Sequence, residues 1–572
     1  MEKIKKLKNL FKKFNLDGYI IPKHDKFFNE YVSKKNDKLE YISNFSGSYG
    51  FALILKKKNY LFVDGRYTLQ AKIQSGKFFS ILKIPQKLPY HVLKNMKLSI
   101  GFDPKIFTDK ILYGLFKNAE CKLVPINKNL ISQHKNKKIK KLPKKFFILN
   151  KKATGEEYLS KIDKVLKILK KGTIDMLFVT ASENIAWLLN LRGHDSEFSP
   201  IPNGYLIIDK ESNVIFFCDL KKINNKIRKY FKKIKILDIK YVDLFLFKVA
   251  NKKIQIDANT CSFLFKKIIE KNNKIINKLD PIYHFKSIKN KIEIQNTIKS
   301  HIYDGAALTK FLFWVKNNYK KKTISEIDAQ EKLLKFRKNN KSFRSLSFPT
   351  ISGSGLNGAI IHYKANKTSN RVLSKGDLYL VDSGGQYNFG TTDVTRTISL
   401  ENKSKRIKNI YTRVLKGHIA VSTFKITKKT TGSKIDLLAR KPLKQIGLDY
   451  AHGTGHGVGY FLNVHEGPQS ISKGNKILLK EGMILSNEPG YYENGKFGIR
   501  IENLITIKKQ DKKLIFHDLT LAPIDKSMIE KKLMNKYEVE WLNKYHHKVY
   551  NQLKKFMNKL ELIDLKKSCS NI

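Results

Sequence analysis

Apolar residues Ile4, Leu7, Leu10, Phe11 and Phe14 recur at helical spacing among lysines, which predicts an amphipathic helix at the start of the chain. A short apolar run follows, Asp17-Gly18-Tyr19-Ile20-Ile21, then YISNFSG at 41–47 and the strand-like GFALIL at 50–55. The same succession returns later. A Lys-rich amphipathic stretch precedes Ile174-Asp175-Met176-Leu177-Phe178-Val179, WLLNLRG at 187–193 and YLIID at 205–209. Helix, short strand, an aromatic-to-Asn-to-Gly segment and further strands predict two α/β domains that are diverged copies of one unit. The basic stretch HKNKKIKKLPKK at 134–145 reads as the linker between them.

From about Phe285 the pattern changes. Ile294, Ile298, Ile302, Ala306, Leu308, Leu312 and Val315 predict a long helix over roughly 288–315. Thr323-Ile324-Ser325-Glu326 has the form of a T-x-x-E capping box and predicts the start of a second helix. Glycine-rich β segments run to about 520, interrupted by helices near 404–423 and 433–445, and a charged helical tail spans 524–558. These shifts divide the chain into 1–150, a first α/β domain; 151–286, a second of similar fold; and 287–572, a domain of different pattern with a helical extension.

Composition narrows the class. The 572 residues are 41% hydrophobic, enough to bury several cores, and no run of about 18 apolar residues suits a membrane span. The N-terminus lacks the apolar core and cleavage site of a secretory signal, and Cys121, Cys218, Cys261 and Cys569 form no CxxC pattern. A cytoplasmic location is the expectation. The net charge of +63 raises the question of nucleic acid. Of 112 basic residues, however, only 11 are Arg and 101 are Lys, spread along the whole chain with abundant Ile and Asn. Without Arg clusters or a recognisable binding motif, this reads as codon-composition drift expressed on solvated faces, with no specific nucleic-acid partner.

The chemistry concentrates between 352 and 503. YLVDSGG places Asp382 at a strand end, and TTDVTRTISL places Asp393 on a strand whose polar face also carries Thr395 and Thr397. Were the two strands neighbours, opposed side chains would stand about 4.5–5.5 Å apart at Cβ, suited to gripping a pair of metal ions. HGTGHGVG at 452–459 supplies His456 among glycines that let the backbone crowd a site. SNEPG and GIRIEN supply Glu488 and Glu502, with Asn494-Gly495, a strong hairpin signal, near their midpoint, so these two should also face each other. Arg500 shares the polar strand face with Glu502 and is expected to orient it. His362 in NGAIIHY, His452 in HGTGH and His465 in NVHEGP complete the candidates. Each residue has an ordinary alternative: Asp382 before SGG as a turn residue, His362 as a core or surface histidine on an apolar strand, Glu488 before Pro489-Gly490 as a turn opener.

Two Asp, one His and two Glu form an oxygen-rich donor set that favours Mn²⁺-like ions, with Zn²⁺ and Co²⁺ as alternatives. The blocks DSGGQYNFGTTDVTRT, HGTGHGVGYFLNVHEGP, SNEPGYY and FGIRIEN resemble the signatures of the pita-bread metallopeptidases. Within that group they are most similar to Xaa-Pro aminopeptidases of the long, three-domain type. KLEYISNFSGSYGFALILKKKNYLFVDGRYTLQA, IAWLLNLRGHDSEFSPIPNGYLII and the tail WLNKYHHKV extend the likeness over nearly the whole chain. The resemblance implies two small α/β creatinase-like domains before a pseudo-twofold α+β pita-bread domain. It implies Asp382, Asp393, His456, Glu488 and Glu502 as ligands of two divalent ions, with Asp393 and Glu502 bridging. It further implies that His362 and His465 contact the scissile peptide, that His452 lines the pocket, and that Glu488 also shuttles protons. Arg66 in DGRY matches an arginine that closes the substrate site across a homodimer, against the ordinary reading of a surface pair with Asp64. Substrates would be peptides with an Xaa-Pro N-terminus. A prolidase restricted to Xaa-Pro dipeptides is the alternative within the enzyme class.

Overall fold

The N-terminal amphipathic stretch is the helix Glu2–Lys13, which buries Ile4, Leu7 and Phe11 and leaves Lys3, Lys5 and Lys6 exposed. Its apolar stripe packs with Tyr19, Ile21, Ala52, Ile54, Leu61 and Val63 on one face of a six-stranded sheet. The protein is described by a computed structural model covering residues 2–127, 130–131 and 143–572; most of the stretch read as a linker lies outside the described residues. The chain forms two compact units, Met1–Tyr283 and His284–Ile572.

The first unit holds two six-stranded sheets of one topology. The first orders its strands Ser80–Lys83, Asn59–Val63, Phe51–Leu55, Gly18–Pro22, Ser99–Phe102, Lys122–Pro125. The second orders them Ile234–Asp238, Val214–Cys218, Gly204–Asp209, Met176–Val179, Lys253–Ile256, Lys274–Asn277. In both, the run of pairings is parallel, antiparallel, antiparallel, parallel, parallel. The repeated asparagine has a backbone cause. Asn44 ends the helix Lys38–Ser43 at φ +63°, and Asn190 follows the helix Ser182–Leu188 at φ +52°. Asn tolerates this left-handed conformation better than other residues with a side chain.

The second unit builds two helix-pair-on-sheet halves. Helices Lys291–Asn318 and Glu326–Lys338 pack through Leu308, Phe311, Leu312, Val315, Ala329 and Leu333. Their partners Tyr379, Val381, Val394 and Ile398 lie on the sheet of Ile351–Ser354, Leu378–Ser383 and Val394–Ser399. Helices Lys405–Ser422 and Gly432–Lys444 pack through Val421, Ile435 and Ala439 against Ile471, Leu485, Ile505 and Ile507 of a five-stranded sheet. The tail forms the helices Lys536–Leu553 and Lys559–Cys569, the second running past the predicted helical span. No helix among the described residues is long and apolar enough to cross a membrane.

One predicted cap is different in the fold. The helix after Thr323 begins at Ser325, whose side chain accepts from the Asp328 N–H while Asp328 accepts from the Ser325 N–H. The reciprocal pair is therefore Ser325 and Asp328, and Glu326, expected to close the box, is freed from capping.

Candidate metal centre

Strands alternate their faces, and that alternation separates the core from the site. Along Leu378–Ser383, Tyr379 and Val381 enter the helix-packed core while Asp382 takes the opposite face. The neighbouring strand Val394–Ser399 runs antiparallel with Thr395 opposite Asp382. Asp393 precedes that strand by one residue, so it stands on the face of Thr395 and diagonal to Asp382, not directly opposed as the sequence suggested. Asp382 lies inside its strand, which removes the turn reading.

Glu488 and Glu502 do face each other. Asn487 pairs with Asn503, and Gly490 pairs with Arg500 across the hairpin closed at Asn494-Gly495, where Gly495 has φ +73°. Both ladders keep one register, which leaves the two glutamates opposed at the interruption between them. Pro489, lacking an N–H, sits in that interruption.

His456 enters on the short strand Gly455–Gly457. A Cβ on Gly455 would lie 1.9 Å from the Ser486 carbonyl oxygen, and one on Gly457 2.3 Å from the Glu466 carbonyl oxygen, so no side chain fits at either position. The His456 N–H donates to Ser486 Oγ at 2.9 Å. Nδ1 lies 2.9 Å from the Gly457 carbonyl, which can only accept, so Nδ1 carries a proton and Nε2 is the nitrogen turned toward the carboxyls. Nε2 stands 3.5 Å from Asp393 and 3.4 Å from Glu488. One donor atom each from Asp393, His456 and Glu502 lies within 4.8 Å of the other two.

Asp382 is held by the guanidinium of Arg500, Nη2 to Oδ2 at 2.6 Å, while its buried Oδ1 has no hydrogen-bond partner among the described residues. The expected action of Arg500 on Glu502 is indirect: Nε donates to Thr395 Oγ1 at 3.0 Å, and that hydroxyl donates to Glu502 at 2.7 Å. Arg500 also donates to the Tyr492 hydroxyl at 2.5 Å. That hydroxyl lies 2.9 Å from His452 Nε2, and His452 Nδ1 faces the Gly453 carbonyl at 2.7 Å. Since Nδ1 must donate to the carbonyl, a neutral His452 accepts from Tyr492 at Nε2. A directed chain thus runs Arg500 to Tyr492 to His452. Sequence reasoning missed Tyr492, although a signal existed: it stands opposite Gly498 on the face shared by Arg500, and the missing side chain there leaves room for its ring.

Burial raises the carboxyl of Asp382 to about 7, the charges of Asp393 and Glu488 adding to the rise and Arg500 opposing it. Burial, reinforced by the other carboxylates, lifts Glu502 well above its ordinary range, and burial also raises Glu488. Against the effect of its own burial, His456 is raised to about 9 by Asp393 and Glu488. A divalent cation would displace the protons that burial and crowding keep on these carboxyls and on His456, so the inward-facing carboxyl oxygens, Asp382 Oδ1 among them, and His456 Nε2 form a donor set that fits such ions.

The His465 ring lies 4.3 Å from that of His456, edge to face, just before the strand Glu466–Ile471. Glu466 in turn is buried between Lys286, at 3.2 Å, and Lys289. His362 is half-buried in the turn after the 3-10 segment Gly355–Ala359, not on a strand as expected. That segment presses on the hairpin: a Cβ on Gly498 would meet the Gly358 carbonyl oxygen at 1.8 Å. Arg66, in the first unit, pairs with Asp64 through Nη2 at 2.6 Å and Nε at 3.0 Å.

Family models agree with this architecture. Residues 295–509 match metallopeptidase family M24, and 512–572 match the C-terminal region of that peptidase. Residues 3–133 and 137–293 each match a creatinase/prolidase N-terminal domain. The chain is 38% identical to Xaa-Pro aminopeptidase 1 of Dictyostelium discoideum, over 96% of this chain and 92% of that protein. A crystal structure of X-prolyl aminopeptidase from Caenorhabditis elegans, described as a cytosolic enzyme with a di-nuclear active site, is 31% identical with a TM-score of 0.94, covering 100% of this chain and 99% of that one. A prolidase from Pyrococcus furiosus is 26% identical with a TM-score of 0.50, covering 62% of this chain and 98% of that one. The chain belongs to metallopeptidase family M24, with two creatinase/prolidase-type domains ahead of its catalytic half.

Proposed function

We propose that this protein is an Xaa-Pro aminopeptidase that hydrolyses the bond between an N-terminal residue and a following proline. The observation that carries this reading is the convergence of Asp393, His456 and Glu502 donors beside Asp382 and Glu488, in a chain alike to an X-prolyl aminopeptidase over its full length. Proline explains the need for a dedicated enzyme, because its tertiary amide lacks an N–H and its ring fixes φ. Asp382, Asp393, His456, Glu488 and Glu502 would hold two divalent ions, with Asp393 and Glu502 shared between them; the oxygen-rich set suits Mn²⁺-like ions, with Zn²⁺ and Co²⁺ as alternatives. When bound, such a pair polarises the scissile carbonyl and supplies an activated water at neutral pH.

The chain's own residues do the rest. Arg500 and Thr395 hold Asp382 and Glu502 in place before substrate arrives. Glu488 receives the proton released on attack and passes it to the departing proline nitrogen. His362 and His465 donate to the peptide and to the developing oxyanion, and His452 lines the pocket. Arg66 would help to close the substrate site across a homodimer, released from Asp64 or turned with it. The division into 1–150, 151–286 and 287–572, and a cytoplasmic location without a specific nucleic-acid partner, belong to the same reading.

Steady-state kinetics on Xaa-Pro and Xaa-Pro-Yaa-Zaa decide between aminopeptidase and prolidase. A dipeptidase must recognise a free carboxylate directly after proline and exclude longer chains, whereas an aminopeptidase must leave that side open. Efficient cleavage of the tetrapeptide, loss of cleavage on α-acetylation and a sharp drop with Ala in place of Pro are expected. Activity confined to the dipeptide would move the assignment to prolidase.

A further inference from the structure

The structure assigns to Glu326 a role as the positioning residue for the loop that carries His362, a reading that rests on the function proposed above. Glu326 is the first residue of the helix Glu326–Lys338, is fully buried, and is not used by its helix cap. Its carboxylate instead gathers donors from both sides of His362. Before it, the Ser354 N–H donates at 2.7 Å and the Asn357 amide lies 3.1 and 3.0 Å from the two oxygens. After it, the Tyr363 hydroxyl donates at 2.8 Å and the Arg371 N–H at 2.9 Å. The Asn357 amide also donates to the Tyr363 hydroxyl at 2.9 Å and to the Ser369 carbonyl at 2.8 Å, while the single Tyr363 proton serves Glu326.

The choice of a carboxylate follows from geometry. The loop runs from the strand end at Ser354 through the 3-10 segment to Arg371 without a strand of its own, so little secondary structure holds it. Two oxygens with about four lone-pair sites can hold donors from four residues at once, which no neutral side chain can do. Tyr363, bonded to Glu326, is the immediate neighbour of His362. A small displacement of a group acting in the transition state costs far more in rate than in substrate binding. Glu326 therefore acts on turnover through His362, without touching metal or substrate.

A double-mutant cycle with Glu326→Gln and His362→Ala tests this on the metal-loaded full-length enzyme. Glu326→Gln should lower kcat of Xaa-Pro-Yaa hydrolysis by about 10- to 100-fold. KM and metal content should hold, and Glu326→Asp should recover part of the loss. In the His362→Ala background the same substitution should change kcat less than about 3-fold, because the group being positioned is gone. Multiplicative losses in the double variant, or a loss that follows metal content, overturn the assignment. If Glu326→Gln does not fold, Tyr363→Phe replaces it in the cycle with the same criteria. Wild-type enzyme inactive on Xaa-Pro-Yaa would overturn the function proposed above, whereas an active wild type with an additive cycle overturns only the role of Glu326.

Discussion

Asp393 and Glu502 stand just ahead of two different strands, Val394–Ser399 and Asn503–Gln510, yet each contributes an atom to one compact donor cluster with His456. Removing either carboxylate should disable the centre as a unit. We expect Asp393→Asn and Glu502→Gln each to abolish turnover, and chelation to abolish it reversibly, with Mn²⁺ as a good restorer. Elemental analysis finding no more than one ion in fully active protein would refute a dinuclear centre. The histidines should behave differently. His362→Ala and His465→Ala should lower kcat/KM by about 10²- to 10⁴-fold, the range of a lost acid–base or oxyanion partner, with metal content retained. Loss of metal from His362→Ala would show that the division between ligands and donors is drawn in the wrong place. At this scale residue type alone said much: the acids and the imidazole were legible as a donor set. The partner of Arg500 was not, because an arginine reaches several neighbours and only packing selects Asp382.

The helices Lys291–Asn318 and Glu326–Lys338 are joined by a buried ion pair, Arg337 to Asp304 at 2.8 and 3.1 Å. Tyr387 donates to the same carboxylate at 2.8 Å, and Arg337 reaches Ser383 Oγ at 3.1 Å, beside Asp382. Substituting Arg337 by Met would strand a carboxylate in the interior. A loss of about 3–5 kcal/mol is expected, measured by denaturant unfolding. A change below about 1 kcal/mol would mean that Tyr387 and relaxation satisfy Asp304 without the arginine. The elements themselves were largely readable, since periodicity marks a helix whose apolar stripe is buried. The cap at Ser325 was misread by one pairing. Thr323 and Ser325 each stand three residues before an acid, Glu326 and Asp328, so spacing alone could not choose between them.

For the whole molecule, the net charge of +63 is the feature most open to misreading. If the lysines reflect composition, nucleic-acid binding should be weak, indifferent to sequence and steeply lost as salt rises. Fluorescence anisotropy with unrelated duplexes across a salt series is the measurement. Tight, sequence-selective binding at physiological salt would revive a nucleic-acid role. The tail shows how distant segments meet. Tyr545, from the stretch WLNKYHHKV, bonds through its hydroxyl to Arg396 at 2.8 Å, and Arg396 donates to the Glu502 carbonyl at 2.6 Å. A C-terminal helix thereby steadies the backbone of a proposed ligand.

By itself the sequence determined the alternation of helix and strand, the repeated unit with its asparagines, the hairpin that opposes Glu488 to Glu502, and the residue types of the donor set. Each is a local property, set by periodicity, turn chemistry or φ preference within a few residues. Only the tertiary structure decided the diagonal placement of Asp382 and Asp393, the attachment of Arg500 to Asp382, the chain through Tyr492 to His452, and the turn of Glu326 toward the His362 loop. Those depend on strand register and on which buried donors find which acceptors. Burial makes an unmet polar group costly, so the interior pairs groups across more than a hundred residues, such as Arg500 with Asp382, that no local pattern joins.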